Sequence, residues 1–169
     1  MNVKNKITTL FLVFFTLFSC KFAFASPDEI YLFRHSEKQS GKNPSLTEQG
    51  KIRANNLVLL FKKYKNVHVF SSNYNRTLQT AQPLAKHFNT SVNIYNASEL
   101  TALKSKLFTL DGVVVVIGHS NTTPVFAELL SSEKVSLMAE TDFTRYFLLK
   151  SNLDKSSNQY SVSELTMDF

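Results

Sequence analysis

Two histidines each come directly after a short apolar run of the kind that forms buried strands. Arg34-His35 follows the run at residues 30–33, and His119 follows the run at residues 113–118. If both runs are strands of one parallel sheet, the two histidines meet at the edge where the strands end. An arginine beside the first histidine indicates that the group bound there is an anion. This pair is therefore the candidate reaction centre.

Other polar side chains follow the remaining predicted strands. Ser71, Ser72 and Arg76 come after the second strand, and Glu99 comes after the third. Arg76 is expected in the first turn of a helix, where the backbone N–H groups and the helix dipole also favour an anion. The guanidinium group matches the geometry of phosphate oxygens, so the combined residue types point to a phosphate.

Two histidines around a phosphate can support transfer chemistry without a metal or any other cofactor. A neutral imidazole nitrogen can attack phosphorus, which gives a phosphohistidine that water later cleaves. Arginines and a second histidine would stabilise the charge on the equatorial oxygens. A carboxylic acid near the leaving oxygen would protonate it and then help to activate water. The neighbouring arginines should keep His35 neutral and nucleophilic.

The alternatives are a structural role for the histidines and a zinc site. A single histidine after a strand is usually a structural hydrogen-bonding group, but two histidines with two arginines fit that role less well. His68, inside a strand pattern, and His87, on a helix, are interpreted as structural or solvent-facing. Too few ligands remain for zinc, so no metal is expected. Ser120 is not a nucleophile, because no Gly-x-Ser-x-Gly motif surrounds it.

The elements that position these residues alternate along the chain. We predict strands at residues 29–33, 67–70, 92–95 and 112–117, helices at 48–63, 75–88, 99–108 and 122–130, and a closing antiparallel pair at 144–150 and 160–166. The helix at 48–63 should have Thr47 as its N-cap and bury Ile52, Leu57 and Phe61. This order predicts an α/β fold with three α/β/α layers, a mainly parallel central sheet and an antiparallel C-terminal pair.

The first 25 residues read as a signal peptide, which leaves residues 26–169 as one domain. Lys4 and Lys6 precede an apolar run at residues 7–18, and Ala23-Phe24-Ala25 resembles a cleavage site. The run is shorter than the roughly 20 residues of a membrane span, so an uncleaved anchor is the second interpretation. A lipoprotein signal ending at Cys20 ranks lower, because the bulky Phe18 fits a lipobox badly. The predicted location is periplasmic or secreted.

Cleavage after Ala25 would change both the cysteine content and the charge. Cys20 is the only cysteine, so the mature chain would have neither disulfides nor cysteine catalysis. Three lysines and no acidic residues leave with the signal, which lowers the net charge from +6 to +3. The remaining charges are scattered, so neither a nucleic-acid partner nor stable membrane insertion is expected. The sequence indicates no oligomeric state.

Four segments of the chain resemble the histidine phosphatase superfamily, which is also called phosphoglycerate-mutase-like. They read Y-L-F-R-H-S-E-K at 31–38, L-T-E-Q-G-K-I-R-A at 46–54, S-S-N-Y-N-R-T-L-Q-T-A at 71–81 and V-I-G-H-S-N-T at 116–122. The resemblance implies that His35 is the phosphorylated nucleophile. It also implies that Arg34, Arg76 and His119 form the phosphate pocket.

The chain departs from the family pattern at two positions. Ser36 stands where a glycine is usual after Arg-His, and another small residue should be tolerated there. The acid-phosphatase branch has an aspartate directly after the second histidine, where this chain has Ser120. The mutase-like branch uses a glutamate after the third strand, so Glu99 is the predicted proton donor. Glu37 is its rival, although an ion pair is the commoner role for its position.

The short interval between Glu99 and Gly112 leaves little material for a lid over the site. An open pocket fits small phosphatases of the phosphohistidine-phosphatase type, or exported members that resemble the lipopolysaccharide core heptose phosphate phosphatase. It fits a mutase poorly, because phosphoryl return favours an enclosed site. The chain is therefore predicted to be an exported phosphomonoesterase that acts on small phosphate esters. A cell-surface sugar phosphate is one candidate substrate. The alternatives are a phosphohistidine protein phosphatase and a non-catalytic phosphate- or glycan-binding protein.

Overall fold

The computed structural model describes residues 26–152 and 160–169. The predicted signal peptide and its cleavage site lie outside the described residues. The strands are β1 (Glu29–Arg34), β2 (Val67–Ser72), β3 (Val92–Tyr95), β4 (Val113–Gly118), β5 (Arg145–Ser151) and β6 (Tyr160–Thr166). The helices are α1 (Glu48–Asn56), α2 (Val58–Phe61), α3 (Asn75–His87), α4 (Leu100–Leu107) and α5 (Thr122–Ser131).

The strands form one sheet in the order β3-β2-β4-β1-β5-β6. The first four run parallel, while β5 is antiparallel to β1 and β6 is antiparallel to β5. Arg34 pairs with Gly118 in register, so β1 and β4 end side by side. The predicted fold class is confirmed, including the antiparallel C-terminal pair.

Alternating side chains of each strand bury two separate apolar layers, one on each face of the sheet. In β1, Tyr31 and Phe33 pack on the same face as Leu57 and Phe61 near α1 and α2, together with apolar residues of α3. Ile30 and Leu32 point to the opposite face, against residues of α4 and α5. A strand covered on both faces must be apolar throughout, which explains the unbroken valine run of β4.

The helix predicted at residues 48–63 is in fact two helices, and one of its predicted core residues is wrong. Thr47 caps α1 as expected, since its hydroxyl accepts a hydrogen bond from the Gly50 N–H at 3.0 Å. The chain leaves α1 at Leu57, and Ile52 is 54% exposed. Buried Arg53 takes the inward position beside it. Periodicity assigns arginine to solvent, so it misses a guanidinium that is buried against a carboxylate partner.

None of the helices within residues 26–152 and 160–169 has the length and apolar character needed to cross a membrane.

Candidate active site

The adjacent ends of β1, β2 and β4 bring the two predicted histidines together. The ring centres of His35 and His119 lie 5.7 Å apart at an angle of 68°. The backbone N–H of His35 donates to the Gly118 carbonyl at 3.0 Å, which fixes one histidine relative to the strand that carries the other. Both side chains are nearly buried. The predicted meeting of the two strand ends is therefore what the structure shows.

His35 is held in the tautomer that a nucleophile needs. Its Nδ1 lies 2.7 Å from the Ser36 carbonyl oxygen, which can only accept, so Nδ1 carries the proton and Nε2 keeps its lone pair. Burial lowers the pKa of His35 to about 4, and the charges of Arg34 and Arg76 act in the same direction against the Ser36 hydrogen bond. At neutral pH the imidazole is therefore uncharged, with Nε2 free to attack.

Ser36 can replace the usual glycine because it is small and well bonded. Its side chain is buried, and its backbone N–H donates to the Thr80 hydroxyl at 3.0 Å. The Ser36 carbonyl meanwhile accepts from His35. Ser36 therefore makes both hydrogen bonds through its backbone. This agrees with the expectation that a small side chain is tolerated at this position.

A chain of hydrogen bonds fixes His119 in the opposite tautomer. Arg76 Nη2 lies 3.2 Å from Nδ1 of His119, so Nδ1 accepts and Nε2 carries the proton. Nε2 then donates to the Ser72 hydroxyl at 2.9 Å, and that hydroxyl donates to Thr77 Oγ1 at 3.1 Å. Burial lowers the pKa of His119 to about 4, with help from Arg76 and Arg34. His119 therefore presents a neutral ring with a fixed proton.

The two arginines each keep one buried N–H without a partner in the described part of the chain. This group is Nε in both Arg34 and Arg76. The guanidinium of Arg34 lies 4.3 Å from the centre of the Phe143 ring, and that of Arg76 lies 4.7 Å from the Tyr74 ring centre. Buried donors are almost always satisfied in native proteins. Two orphaned cationic donors beside two neutral imidazoles therefore suit an anionic ligand.

Gly118 is required by close packing rather than by an unusual backbone turn. A Cβ at this position would lie 3.0 Å from both the Tyr95 hydroxyl and Thr123 Oγ1. Its φ is not positive, in contrast to those of Gly41 and Gly112. The glycine therefore allows β4 to end tightly against β3 and α5, immediately before His119.

An open groove leads away from Arg76 and His119. Arg76 is the one charged residue that lines it. The other polar lining residues are three asparagines and four residues with a hydroxyl group: Asn73, Asn96, Asn121, Tyr74, Tyr95, Ser98 and Thr122. Neutral hydrogen-bonding groups beside a phosphate pocket can accept a polar, uncharged leaving group.

The structure does not bring Glu99 to the histidines. Glu99 is the exposed N-cap residue of α4, and it lines a small depression that adjoins the groove and shares Tyr95 and Asn96 with it. No hydrogen bond or ion pair joins it to a site residue among the described positions. Its place in the fold gives no support to the predicted role as proton donor.

Glu37, the rival acid, is occupied by an ion pair. Arg53 Nε lies 3.0 Å from both carboxylate oxygens, and Arg53 Nη2 lies 2.8 Å from one of them. The side chains are only 10% and 20% exposed for Arg53 and Glu37. Burial opposes the charged carboxylate, but the Arg53 contact outweighs it and the pKa of Glu37 is lowered. A carboxylate in this setting is a structural ion-pair partner.

Glu140 is the carboxylate that the sequence reasoning missed. One oxygen lies 3.0 Å from Arg34 Nη2, and the other accepts a short hydrogen bond from the Ser120 hydroxyl. Its position could have been inferred, because β5 is antiparallel to β1 and pairs Tyr146 with Phe33. The segment before such a strand must lie at the edge where β1 ends.

The two remaining histidines lie away from the pair. His68 Nε2 is 3.8 Å from an Asp111 oxygen, and His87 is exposed at the end of α3 with its ring against Phe88. Within residues 26–152 and 160–169, no group of three histidine, cysteine or acidic side chains is arranged to hold a metal ion. The expectation of metal-independent chemistry stays a prediction.

Comparison with known proteins agrees with this geometry. Residues 30–100 match the model of the histidine phosphatase superfamily (branch 1), a range that includes Arg34, His35 and Arg76 but not His119. No curated protein matches the chain significantly. The matched range spans less than half of the chain, so the match is a resemblance to this superfamily.

Solved structures share the fold at low sequence identity. SixA from Agrobacterium tumefaciens, assigned as a phosphohistidine phosphatase, is 19% identical with a TM-score of 0.56, and the alignment covers 83% of this chain and 99% of that one. A mycobacterial glucosyl-3-phosphoglycerate phosphatase is 12% identical with a TM-score of 0.67, covering 82% and 98% of the two chains. At these identities the likeness establishes the fold alone.

Proposed function

We propose that this chain is a metal-independent phosphomonoesterase that works through a phosphohistidine at His35. The observation that carries the proposal is the tautomer of His35, whose Nε2 lone pair is presented beside His119 and two arginines with unpaired buried N–H groups. The family match of residues 30–100 supports the same chemistry.

In the first half-reaction, Nε2 of His35 attacks phosphorus while the ester P–O bond breaks. Its Nδ1 keeps its proton and donates it in the hydrogen bond to the Ser36 carbonyl oxygen, so the ring can take up positive charge without losing its orientation. Arg34 and Arg76 supply positive charge and N–H donors for the phosphoryl oxygens, beside the neutral ring of His119. The leaving alkoxide takes up a proton from solvent. In the second half-reaction, water attacks phosphorus and returns the electron pair to Nε2.

The substrate class that we propose is a small phosphate ester with a neutral polar leaving group, such as a sugar phosphate. The asparagine- and hydroxyl-lined groove beside Arg76 supports it. The solved structure of a phosphatase named for glucosyl-3-phosphoglycerate adds a precedent on the same fold. The fold likeness to SixA favours a phosphohistidine protein as the second candidate substrate.

Export to the periplasm or the cell exterior belongs to the same proposal. Its support is the signal-like pattern of residues 1–25 in the sequence. Sequencing of the exported protein from its N-terminus should begin at Ser26. A chain that retains Met1 in the membrane fraction would favour the anchored form.

The test of the activity is a panel of phosphate esters that contains sugar phosphates, aryl phosphates and a phosphohistidine protein. We expect turnover that is unchanged by a chelator and absent in His35→Asn. Loss of activity that added metal restores would contradict the proposed chemistry. Binding of phosphate with no turnover of any ester would favour the non-catalytic alternative. Preference for the phosphohistidine protein would select the second candidate substrate.

A further inference from the structure

Glu140 bridges two residues that are next to the histidines in sequence. Its carboxylate contacts Arg34, the neighbour of His35, and Ser120, the neighbour of His119. The histidine rings are themselves 5.7 Å apart. The carboxylate is therefore tied to both halves of the site by direct hydrogen bonds.

The segment that carries Glu140 is anchored on Arg34. Arg34 Nη1 donates to the Ala139 carbonyl at 2.7 Å and to the Asp142 carbonyl at 3.3 Å, and the guanidinium packs on Phe143. The Phe143 ring centre is also 6.2 Å from that of His35. Glu140 is thus held beside Arg34 by its own flanking backbone.

Water reaches Glu140 but hardly reaches the histidines. The Glu140 side chain is 76% exposed, while His35 is 3% exposed. The Ser120 hydrogen bond, followed by the charge of Arg34, lowers the pKa of Glu140. The group is therefore an ionised carboxylate at neutral pH, in contact with solvent and adjacent to the nucleophile.

The other candidate carboxylates are placed differently. Glu37 is bound on both oxygens by Arg53, and Asp142 is paired with Arg145 at 2.9 Å. Glu99 contacts neither histidine within the described residues. Glu140 combines contact with the site, ionisation and access to water.

We infer that Glu140 is the general base for hydrolysis of the phosphoenzyme, a role that rests on the phosphohistidine function proposed above. Glu140 takes a proton from water as the water oxygen bonds to phosphorus. The P–Nε2 bond breaks and its electron pair returns to His35. The second hydrogen of the water stays on the released phosphate, and Glu140 then loses its proton to solvent.

The experiment separates the two half-reactions with an activated aryl phosphate. Glu140→Gln should release one equivalent of aryl alcohol per site at the wild-type rate and then turn over about 10²–10⁴-fold more slowly. Phosphohistidine should accumulate in the same samples after an acid-free quench. Glu133→Gln is the matched control, because Glu133 is an exposed glutamate on the same connecting segment.

A pH profile distinguishes a base from a residue that only supports the fold. Hydroxide needs no base, so the steady-state rate of Glu140→Gln should rise in proportion to hydroxide concentration above neutral pH, whereas that of the wild type should not. A slow first phase in Glu140→Gln, without accumulation, would show that Glu140 acts only through the position of Arg34 and would overturn the inference.

Two further outcomes separate this inference from the function on which it rests. Normal turnover of Glu140→Gln with a detectable phosphohistidine would overturn the role of Glu140 alone. Turnover without any phosphohistidine in either protein would overturn the proposed function. Accumulation of phosphoenzyme in Glu99→Gln instead would return the role to the residue first predicted from sequence.

Discussion

Two arginine–glutamate pairs flank the histidines, and they differ in how far water reaches the glutamate. In the Arg53–Glu37 pair the side chains are 10% and 20% exposed, and three hydrogen bonds saturate the carboxylate. In the Arg34–Glu140 pair the arginine is 1% exposed and the glutamate is 76% exposed. The same ion-pair chemistry therefore encloses the carboxylate in one place and leaves it open to solvent in the other.

The difference follows from where each pair lies. Glu37 lies two residues after His35, and its backbone carbonyl packs directly on Gly50 of α1, where any Cβ would overlap it. Arg53 also donates to the backbone carbonyl oxygen of Phe169 at 2.7 Å, so this pair ties α1 to the C-terminus. Glu140 instead lies in the connection between α5 and β5, with its carboxylate facing solvent. Of the two carboxylates, that of Glu140 is therefore the one with ready access to solvent.

The largest contrast is expected in activity. Arg34→Met should lower kcat/KM by about 10²–10³-fold, because it removes a charged donor aimed at the phosphoryl group. Arg53→Met should leave kcat/KM of the folded fraction close to that of the wild type. Steady-state kinetics on an aryl phosphate, with circular dichroism to confirm folding, measures both. Equal losses in the two variants would contradict the division between the pairs.

Folding stability should show the reverse order. Arg53→Met leaves the largely buried Glu37 carboxylate without its guanidinium, and we expect the free energy of unfolding to fall by about 2–3 kcal/mol. Urea denaturation of Arg53→Met, Glu37→Gln and the double variant would give the coupling between the side chains. A change below about 0.5 kcal/mol for Arg53→Met would mean that this pair is not structural.

Acid should destabilise the protein before it protonates either glutamate. The pKa of both His35 and His119 is about 4 in the folded protein, below the ordinary value of about 6.5. The unfolded chain therefore binds more protons between these values, and stability falls as the pH drops from about 6.5 to about 4. The slope reaches about 1.4 kcal/mol per pH unit for each histidine.

Replacement of both histidines by glutamine tests this pH dependence. The slope of unfolding free energy against pH between about 6.5 and 4 should flatten in the double variant. The pKa values of Glu37 and Glu140 are lowered. Protonation of these two carboxylates therefore reduces the folding stability only at pH values below the ordinary range of glutamate pKa values. If the double variant kept the wild-type slope, the pH dependence of stability would come from groups other than these two histidines.

The smallest effect is expected for the stability of Glu140→Gln. Because the carboxylate is mostly in water, loss of its charge should change the free energy of unfolding by less than about 0.5 kcal/mol. Urea denaturation beside Arg53→Met measures the difference under one set of conditions. A loss as large as that of Arg53→Met would identify Glu140 as a structural partner.

The sequence predicted the parts of this molecule that depend on local pattern and strand order. Apolar runs located the strands, and the rule for parallel sheets placed His35, Arg76 and His119 at one edge. Periodicity failed at Ile52 because the inward position beside it belongs to Arg53, which is buried with a partner far from it in sequence.

Sequence reasoning did not single out Glu140 for a similar reason, and the role of Glu99 as proton donor stays a prediction. Glu99 was chosen because it follows a parallel strand, yet it caps an exposed helix start. Glu140 precedes an antiparallel strand, and its contacts to Arg34 and Ser120 span 106 and 20 residues of sequence. Contacts between residues this far apart form only when the sheet has assembled, so they produce no local pattern in the sequence.

The phosphohistidine mechanism is tested most directly by locating the phosphoryl group during turnover. The protein, mixed with a labelled phosphate ester and quenched without acid, is digested and its labelled peptide is sequenced. We expect label on His35 in the wild type and no label in His35→Asn. Label on His119, or turnover with no labelled histidine at all, would contradict it.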